Sequence, residues 1–420
     1  MAHSKTSKQH RHLAEGGVFE LSYPGKRTEQ DILEVIPVPF EPYIHSAFTD
    51  TLYFGDNQNA LLSLLRNGQK GKIDLIYVDP PYATNGVFES RSQEHAYNDL
   101  STGAAFLESL RGRLIVMREL LSGKGSIYLH IDEKMVFAVK LIMDEVFGSG
   151  NFRNCITRKK CNSKNYTRKS YSNVSDYILF YTRGENYTWN IQFDDLSEKS
   201  VQEYRYTEPE TGRRYMKVPV HAPGIRFGET GDAWRGVLPP TGKHWQYTPS
   251  KLEEMDARGE IIWSKNGNPR RKVYLDSRPG VAAQDIWLEF KDAHNQNIEV
   301  TGYPTEKNLD LLKRIILASS NPGDLVLDAY AGSGTTGFAA RALNRRFILM
   351  DRSPLALQTI IRRFKYGAQR MGDFVKKSVN ADPPSLFPHE SAFEVWVERE
   401  LQSLADETLN DDLKSLATLR

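Results

Sequence analysis

Two consecutive prolines, Pro80 and Pro81, close the apolar run Ile73-Asp74-Leu75-Ile76-Tyr77-Val78 and restrict what that stretch can become. A short, bounded apolar run of this kind predicts a buried strand. Neither proline can donate a backbone N–H, so pairing stops there and the chain leaves the sheet as a stiff, open loop. Asp79-Pro80-Pro81-Tyr82 then presents a carboxylate, a bare carbonyl and a phenol ring at the carboxyl end of the strand, where open α/β sheets place ligands. Two acceptors and a ring suit a planar amino group, held through both hydrogens and stacked. A proline-stopped loop with a surface Tyr is the competing reading of the tetrapeptide alone. The second Asp-Pro-Pro, at Asp382-Pro383-Pro384-Ser385, follows no apolar strand and carries Ser in the aromatic position, so it reads as linker.

A second block lies far downstream. Asn321-Pro322-Gly323-Asp324 predicts a turn, and Leu325-Val326-Leu327-Asp328-Ala329-Tyr330 a strand. Ala331-Gly332-Ser333-Gly334-Thr335-Thr336-Gly337 and a helix through Leu343 follow. Glycines let backbone pass close to a ligand, and a helix N-terminus offers free N–H groups to an anionic end. The next strand, Arg346 to Met350, finishes at Asp351, the place where nucleotide-binding α/β units grip a ribose diol. Gly332, Gly334 and Gly337 also fit the dinucleotide pattern, so an NAD-dependent oxidoreductase is carried as an alternative of a different class. Against it, the Asp328 carboxylate would oppose a pyrophosphate while suiting an ammonium or sulfonium. A P-loop is excluded, because Phe338 stands where its lysine would follow Gly337. S-adenosylmethionine fits this set best, with Asp328, Tyr330, Gly332, Gly334 and Asp351 as candidate cofactor contacts.

Two smaller segments join it. Tyr53-Phe54-Gly55-Asp56-Asn57 precedes a helix over Ala60 to Leu65, so Asp56 either meets the cofactor adenine or caps that helix. Gly302-Tyr303-Pro304-Thr305-Glu306-Lys307 precedes the apolar-periodic helix Leu309 to Ser319. Thr305 or Lys307 is placed to meet a cofactor carboxylate, with a solvated first-turn lysine as the bland alternative.

Taken together, Leu52–Tyr82, Arg111–Ile131, Asn173–Thr182 and Gly302–Ile361 resemble the β group of DNA amino-methyltransferases, in which the catalytic block precedes the cofactor block. Gly242-Lys243-His244-Trp245 and Gly259-Glu260-Ile261-Ile262-Trp263 are similar to segments of type III restriction-system modification subunits. Tyr330 departs from the Phe frequent in that family. The resemblance implies a Rossmann-like α/β fold: a mostly parallel twisted sheet with helices on both faces, plus an inserted target-recognition domain. It also implies double-stranded DNA as substrate, S-adenosylmethionine as donor, dimerisation, and a restriction subunit as partner. Asp79 in the first motif position with Tyr82 in the fourth resembles adenine-N6 enzymes more than cytosine-N4 ones, which are the nearer alternative.

Composition sets the outer bounds. The 420 residues, 40% hydrophobic and 26% charged, suit an ordinary soluble protein of two or three domains, and a net charge of +2 implies no partner by itself. No apolar stretch approaches the roughly 18 residues of a membrane span, and the basic N-terminus lacks a signal peptide's apolar segment. Cys155 and Cys161 form neither a disulfide framework nor a metal site, so a cytoplasmic, reducing setting and no metal are expected. Residues 1–20 read as a flexible arm, 21–185 as the catalytic half, and 186–296 as the insert, where helical periodicity fades. Residues 297–375 read as the cofactor half, and 376–420 as a helical tail carrying Phe393, Trp396, Val397, Leu401 and Leu404 at roughly helical spacing.

Polymer binding needs local cations. Arg153 to Arg183 carries eight Lys/Arg against one acid, Asp176, with Asn and Tyr interleaved. Arg158, Lys159, Lys160, Lys164, Arg168 and Lys169 are the candidate DNA contacts, and salt-sensitive binding is expected. An exocyclic amine lies inside duplex stacking, so the base must be flipped out, at a cost of about a few kcal/mol. Tyr82 would stack on it while Asp79 and the Pro80 carbonyl accept the amine hydrogens. Neither cysteine sits in a Pro-Cys context, so cytosine-C5 chemistry through a thiolate is not expected.

Overall fold

The computed structural model describes residues 20–45, 49–81, 103–162, 169–264, 267–277, 279–292, 303, 306–366 and 393–409, and the backbone of 87–89 and 95–98. The expected N-terminal arm therefore lies outside the described residues, Glu20 excepted. Contacts divide the chain into two units, 1–190 with 284–420, and 191–283.

The first unit is built on a ten-stranded sheet. Its strands are β1 (Phe40–Ile44), β2 (Thr51–Phe54), β3 (Ile73–Val78), β4 (Leu121–Ile131), β5 (Phe152–Lys159), β6 (Ser175–Thr182), β7 (Ile286–Trp287), β8 (Leu325–Asp328), β9 (Arg346–Asp351) and β10 (Glu394–Glu398). Across the sheet they run β1-β10-β2-β9-β8-β3-β4-β6-β5-β7. The consecutive run from β10 to β4 is parallel, as is β5–β7, while β1–β10, β4–β6 and β6–β5 are antiparallel. This is a Rossmann-like, mostly parallel α/β sheet.

Helices α1 (Glu29–Leu33), α2 (Asn57–Leu64), α3 (Ala104–Leu120), α4 (Val136–Phe147), α5 (Leu309–Ser319), α6 (Thr335–Ala342), α7 (Pro354–Tyr366) and α8 (Gln402–Thr408) accompany it. Strand side chains alternate between two cores, as a period of two requires. Ile76 and Val78 of β3, with Leu325 and Leu327 of β8, pack with α2, α3 and α4. Leu75 and Tyr77, with Val326, pack with α5, α6 and α7 on the other face. Burial on both faces explains why these strands read as continuous apolar runs. Helix starts follow local chemistry: Asn308 caps α5 by accepting from the Asp310 and Leu311 N–H groups, and Asp56 caps α2.

Strand β8 leads through α6 to β9 on one side, and β3 leads through α3 to β4 on the other. The boundary between the neighbours β8 and β3 is therefore a topological switch point, the place at the strand carboxyl ends where open α/β sheets bind ligands.

The stretch expected as a helical tail behaves differently. Glu394–Glu398 forms an interior strand, β10, between β1 and β2, and among the described residues of the stretch helix follows only after it, as a 3-10 turn over Arg399–Leu401 and an α-helix over Gln402–Thr408. Phe393, Val395 and Val397 alternate with Glu394, Trp396 and Glu398, a period-two signal hidden by the leucine spacing downstream. The basic segment also holds strand β5, which ends at Lys159.

The 191–283 unit has its own four-stranded antiparallel sheet, ordered Tyr206–Thr207, Arg214–Pro219, Pro269–Tyr274 and Ile261–Trp263. Val220, Trp234, Trp245, Leu252, Met255 and Ile261 form its core. No helix among the described residues is long and apolar enough to cross a membrane.

The Phe393 ring is buried against Phe347 and Phe364, with ring centroids 6.0 and 5.1 Å away. Phe393→Ala should cost about 3–5 kcal/mol of unfolding free energy. The exposed Phe137→Ala should stay within about 0.5 kcal/mol. Chemical denaturation of the two variants beside the wild type measures both.

Candidate active site

Because β3 and β8 are parallel neighbours with Asp328 opposite Tyr77, the Asp79 loop and the glycine loop leave the sheet side by side. Lys307, just before α5, places its Nζ 3.1 Å from Asp79 Oδ2, and both side chains are largely buried. The catalytic and cofactor blocks thus meet at one edge. Pro80 is buried and Pro81 half-buried. Tyr82 and Thr305 lie outside the described residues.

Asp328 is fully buried at the end of β8. Its Oδ1 accepts from the Tyr330 N–H at 2.9 Å and its Oδ2 from the Thr336 hydroxyl. Burial pushes this carboxyl up to about 7, with nearby Asp79 and Asp351 pushing the same way. Tyr330 is partly buried and packs against the core. Asp351 holds the glycine loop closed, accepting from Gly332 N–H at 2.8 Å and from Ser353 N–H at 2.9 Å. Burial raises its carboxyl too. Gly332 and Gly334 have φ of +50° and +73°, conformations that only glycine adopts cheaply. A Cβ on Gly334 would also stand 2.8 Å from Ile360 Cγ1.

Asp56 is a helix cap here. Its Oδ1 accepts from the Gln58 and Asn59 N–H groups, and Arg113 sits 3.1 Å from Oδ2. The preceding glycine has a packing reason, since a Cβ on Gly55 would collide with Glu398 at 2.6 Å. Glu398 accepts in turn from Asp56 N–H and Asn59 Nδ2.

Three further side chains make contacts that have no signature in the sequence alone. The Arg363 guanidinium of α7 is buried, and its Nη1 donates to Glu306 at 2.7 Å and to Thr335 Oγ1 at 2.9 Å, tying the segment before α5 to the glycine loop. Asn57 Nδ2 donates to the Ala329 carbonyl at 2.6 Å, bracing the same loop from α2. Arg345 donates to Ser320. The residue types were visible; their partners are far away in sequence.

The DNA-contact set changes most at Arg158. Its side chain points inward, fully buried, and forks onto Asp176, with Nε to Oδ1 at 2.8 Å. Arg158 and Asp176 are direct cross-strand partners on β5 and β6. Asp176 was the lone acid in the basic segment, which is the signal that Arg158 has a protein partner. An arginine so committed offers no phosphate contact. Lys159 and Lys160 are half-buried and Lys169 is exposed, while Lys164 and Arg168 lie outside the described residues.

A family model described as DNA methylase, for N6 and N4 methyltransferases, matches residues 73–362, and the chain belongs to this family. The Type II methyltransferase M.EcaI of Enterobacter cloacae is 46% identical over 402 residues, spanning 93% of this chain and 88% of that protein. The Mod subunit of the type III restriction-modification enzyme StyLTI of Salmonella typhimurium is 28% identical over 339 residues, spanning 70% of this chain and 51% of its own length. The DNA adenine methyltransferase YhdJ of Escherichia coli is 25% identical over 338 residues, spanning 78% of this chain and 88% of that protein. Among solved structures, the M1.HpyAVI–SAM complex aligns at 16% identity with a TM-score of 0.40, covering 74% of this chain and 98% of that one. The sequence resemblance to amino-methyltransferases therefore holds, and family membership displaces the oxidoreductase alternative.

Asp328 yields a prediction with a definite sign. Its folded pKa lies above the unfolded value of 3.8, so the neutral acid favours folding below that value and the advantage is lost as pH rises through about 7. Asp328→Asn should raise the melting temperature of the ligand-free protein at pH 8 and leave it nearly unchanged at pH 4. The upper bound is about 4 kcal/mol. Thermal melts across that pH range measure it.

Proposed function

We propose that this chain is a site-specific DNA methyltransferase acting on the exocyclic N6 of a flipped-out adenine, in a restriction-modification setting like that of its type II and type III relatives. The observation that carries the reading is the meeting of Asp79 with Lys307 and the Asp328–Gly334 loop at the switch point of the sheet.

S-adenosylmethionine is the methyl donor this family uses, and the donor set fits it. The site combines a buried carboxylate at Asp328, a half-buried one at Asp351, the cation of Lys307 and a tight glycine loop, which suits a ligand bearing an ammonium, a carboxylate and a diol. Asp351, Asp328, Tyr330, Gly332 and Gly334 would hold it, with Thr305 and Lys307 toward its carboxylate. Bound there, it supplies an electrophilic methyl group on a sulfonium.

The chain's own residues then have positional work. Asp79 and the Pro80 carbonyl accept the two amine hydrogens, which turns the nitrogen lone pair out of conjugation with the base. Lys307 fixes the carboxylate that does this, and Tyr82 stacks on the extruded ring, replacing part of the stacking lost on flipping. Positioning and fixed charges provide most of the acceleration, and no covalent enzyme intermediate is needed.

The DNA surface is drawn from two places. Lys159, Lys160 and Lys169 are proposed for phosphate contact, with Lys164 and Arg168. The 191–283 unit is proposed for target recognition. Arg213 lies 3.9 Å over the Tyr274 ring, and Phe227 is 96% exposed beside exposed Arg226. Exposed Ile225 and Phe227 on either side of Arg226 combine apolar surface with a cation, a pairing suited to stacking on bases beside phosphate contact.

Asp79→Ala should retain donor binding by calorimetry and lose methyl transfer by at least about 10²-fold. Undiminished transfer would refute the role. Nucleoside mass spectrometry of treated DNA should show N6-methyladenine, and N4-methylcytosine in its place would move the assignment to cytosine. Replacing Lys159 and Lys160 by Ala should lower the slope of log affinity against log salt by about 2, by the rule of one unit per phosphate contact.

A further inference from the structure

A buried polar chain runs beneath the Asp79 loop, and the proposed chemistry does not use it directly. The Tyr77 hydroxyl, two residues before Asp79, lies 2.8 Å from His130 Nδ1 on β4. His130 Nε2 lies 3.0 Å from Asp176 Oδ2 on β6. Asp176 is forked by Arg158 on β5, and Arg158 continues to Asp292 at 2.7 Å and to the Phe290 carbonyl at 3.1 Å. Tyr77, His130, Asp176 and Arg158 are all essentially inaccessible to water.

The chain has a destination at each end. At one end it holds Tyr77, and so the last turn of backbone before Asp79. At the other it holds the segment 286–292 along β5, reinforced by the Asp292 N–H donating to the Lys160 carbonyl at 2.8 Å. Asn308 Nδ2 then donates to the Lys291 carbonyl at 3.2 Å, and Asn308 is the residue after Lys307. The two ends of the network thus support the two members of the Asp79–Lys307 pair.

We propose that the Tyr77–His130–Asp176–Arg158–Asp292 network is a positioning brace that sets the Asp79–Lys307 geometry, with Arg158 as its central positioning residue. Stability alone explains it poorly. Removing charges from water costs several kcal/mol per ion, and buried ion pairs seldom beat apolar packing of the same volume. What such a pair gives is fixed direction. Arginine's planar fork can hold Asp176 through two nitrogens while reaching Asp292, and a lysine ammonium cannot. Displacing reacting groups by about 1 Å can cost about 10²-fold in rate.

The brace rests on the proposed methyl transfer, and the experiment separates the two. Steady-state methylation of DNA is measured for the full chain carrying Arg158→Lys, Tyr77→Phe, and both together. Each single variant should lower kcat by about 10–100-fold with KM for donor and DNA within about twofold. The double variant should fall no further than the worse single one, because both cut the same network. Asp292→Asn, which keeps an acceptor for Arg158, should restore most of the kcat lost in Asp292→Ala. Folded variants with unchanged kcat, or rate losses that multiply, would overturn the brace. If Arg158→Lys does not fold, Tyr77→Phe decides alone, since it removes one buried hydroxyl. A wild type that transfers no methyl group would overturn the function instead. The brace is then judged by a crystal structure of Tyr77→Phe. An Asp79–Lys307 separation changed by less than about 0.5 Å would overturn it.

Discussion

The parallel pairing of β3 with β8 is the constraint on which the rest depends. It joins two stretches far apart in sequence at a place in the sheet where neighbouring connections diverge. Divergence leaves an open edge, and the chain fills that edge with charge: Asp79, Asp328, Asp351 and Lys307. The acids are half-buried or buried, and burial raises the carboxyls of Asp328 and Asp351. A site of this kind is costly to the empty protein and favourable to a cationic ligand, which is the usual signature of a binding crevice.

The loops at this edge are held by a layer of supporting hydrogen bonds, one of them made by a residue of the proposed cofactor set. Arg363 links Glu306 to the glycine loop, Asn57 reaches the Ala329 carbonyl, and Asp351 accepts from Gly332. Each bond ends on backbone or on a neighbouring anchor. Precise sites need supporting contacts of this sort, because loops alone do not hold reacting atoms to within a fraction of an ångström. The buried chain from Tyr77 to Asp292 belongs to the same pattern, one layer deeper.

Much of this was legible in the sequence wherever the signal was local. The strand Ile73–Val78 and the helix Leu309–Ser319 have the bounds that their apolar patterns predict. The proline stop and glycine loop carried the site because their physics lies in a few adjacent residues. What failed was pairing over distance. Arg158 looks like any other cation in its basic segment until Asp176 is known to lie directly across the ladder. Asp56 caps α2 through its near neighbours Gln58 and Asn59, as its place before the helix suggests, while its ion pair with Arg113, far along the chain, could not be read from the sequence. Residues 393–398 alternate as a strand should, but six residues compete poorly with a longer leucine pattern that fits a helix.

That late strand has a consequence for how the molecule is made. Asp56, at the entrance to α2, is bonded through its N–H to Glu398, 342 positions away. The edge strand β1 has no route to its sheet except through β10. During synthesis the early strands must therefore wait with an unpaired edge until β10 has emerged. Contacts of such long range fold slowly and expose strand edges in the interval. Nascent chains of this kind should depend on chaperones more than their composition suggests.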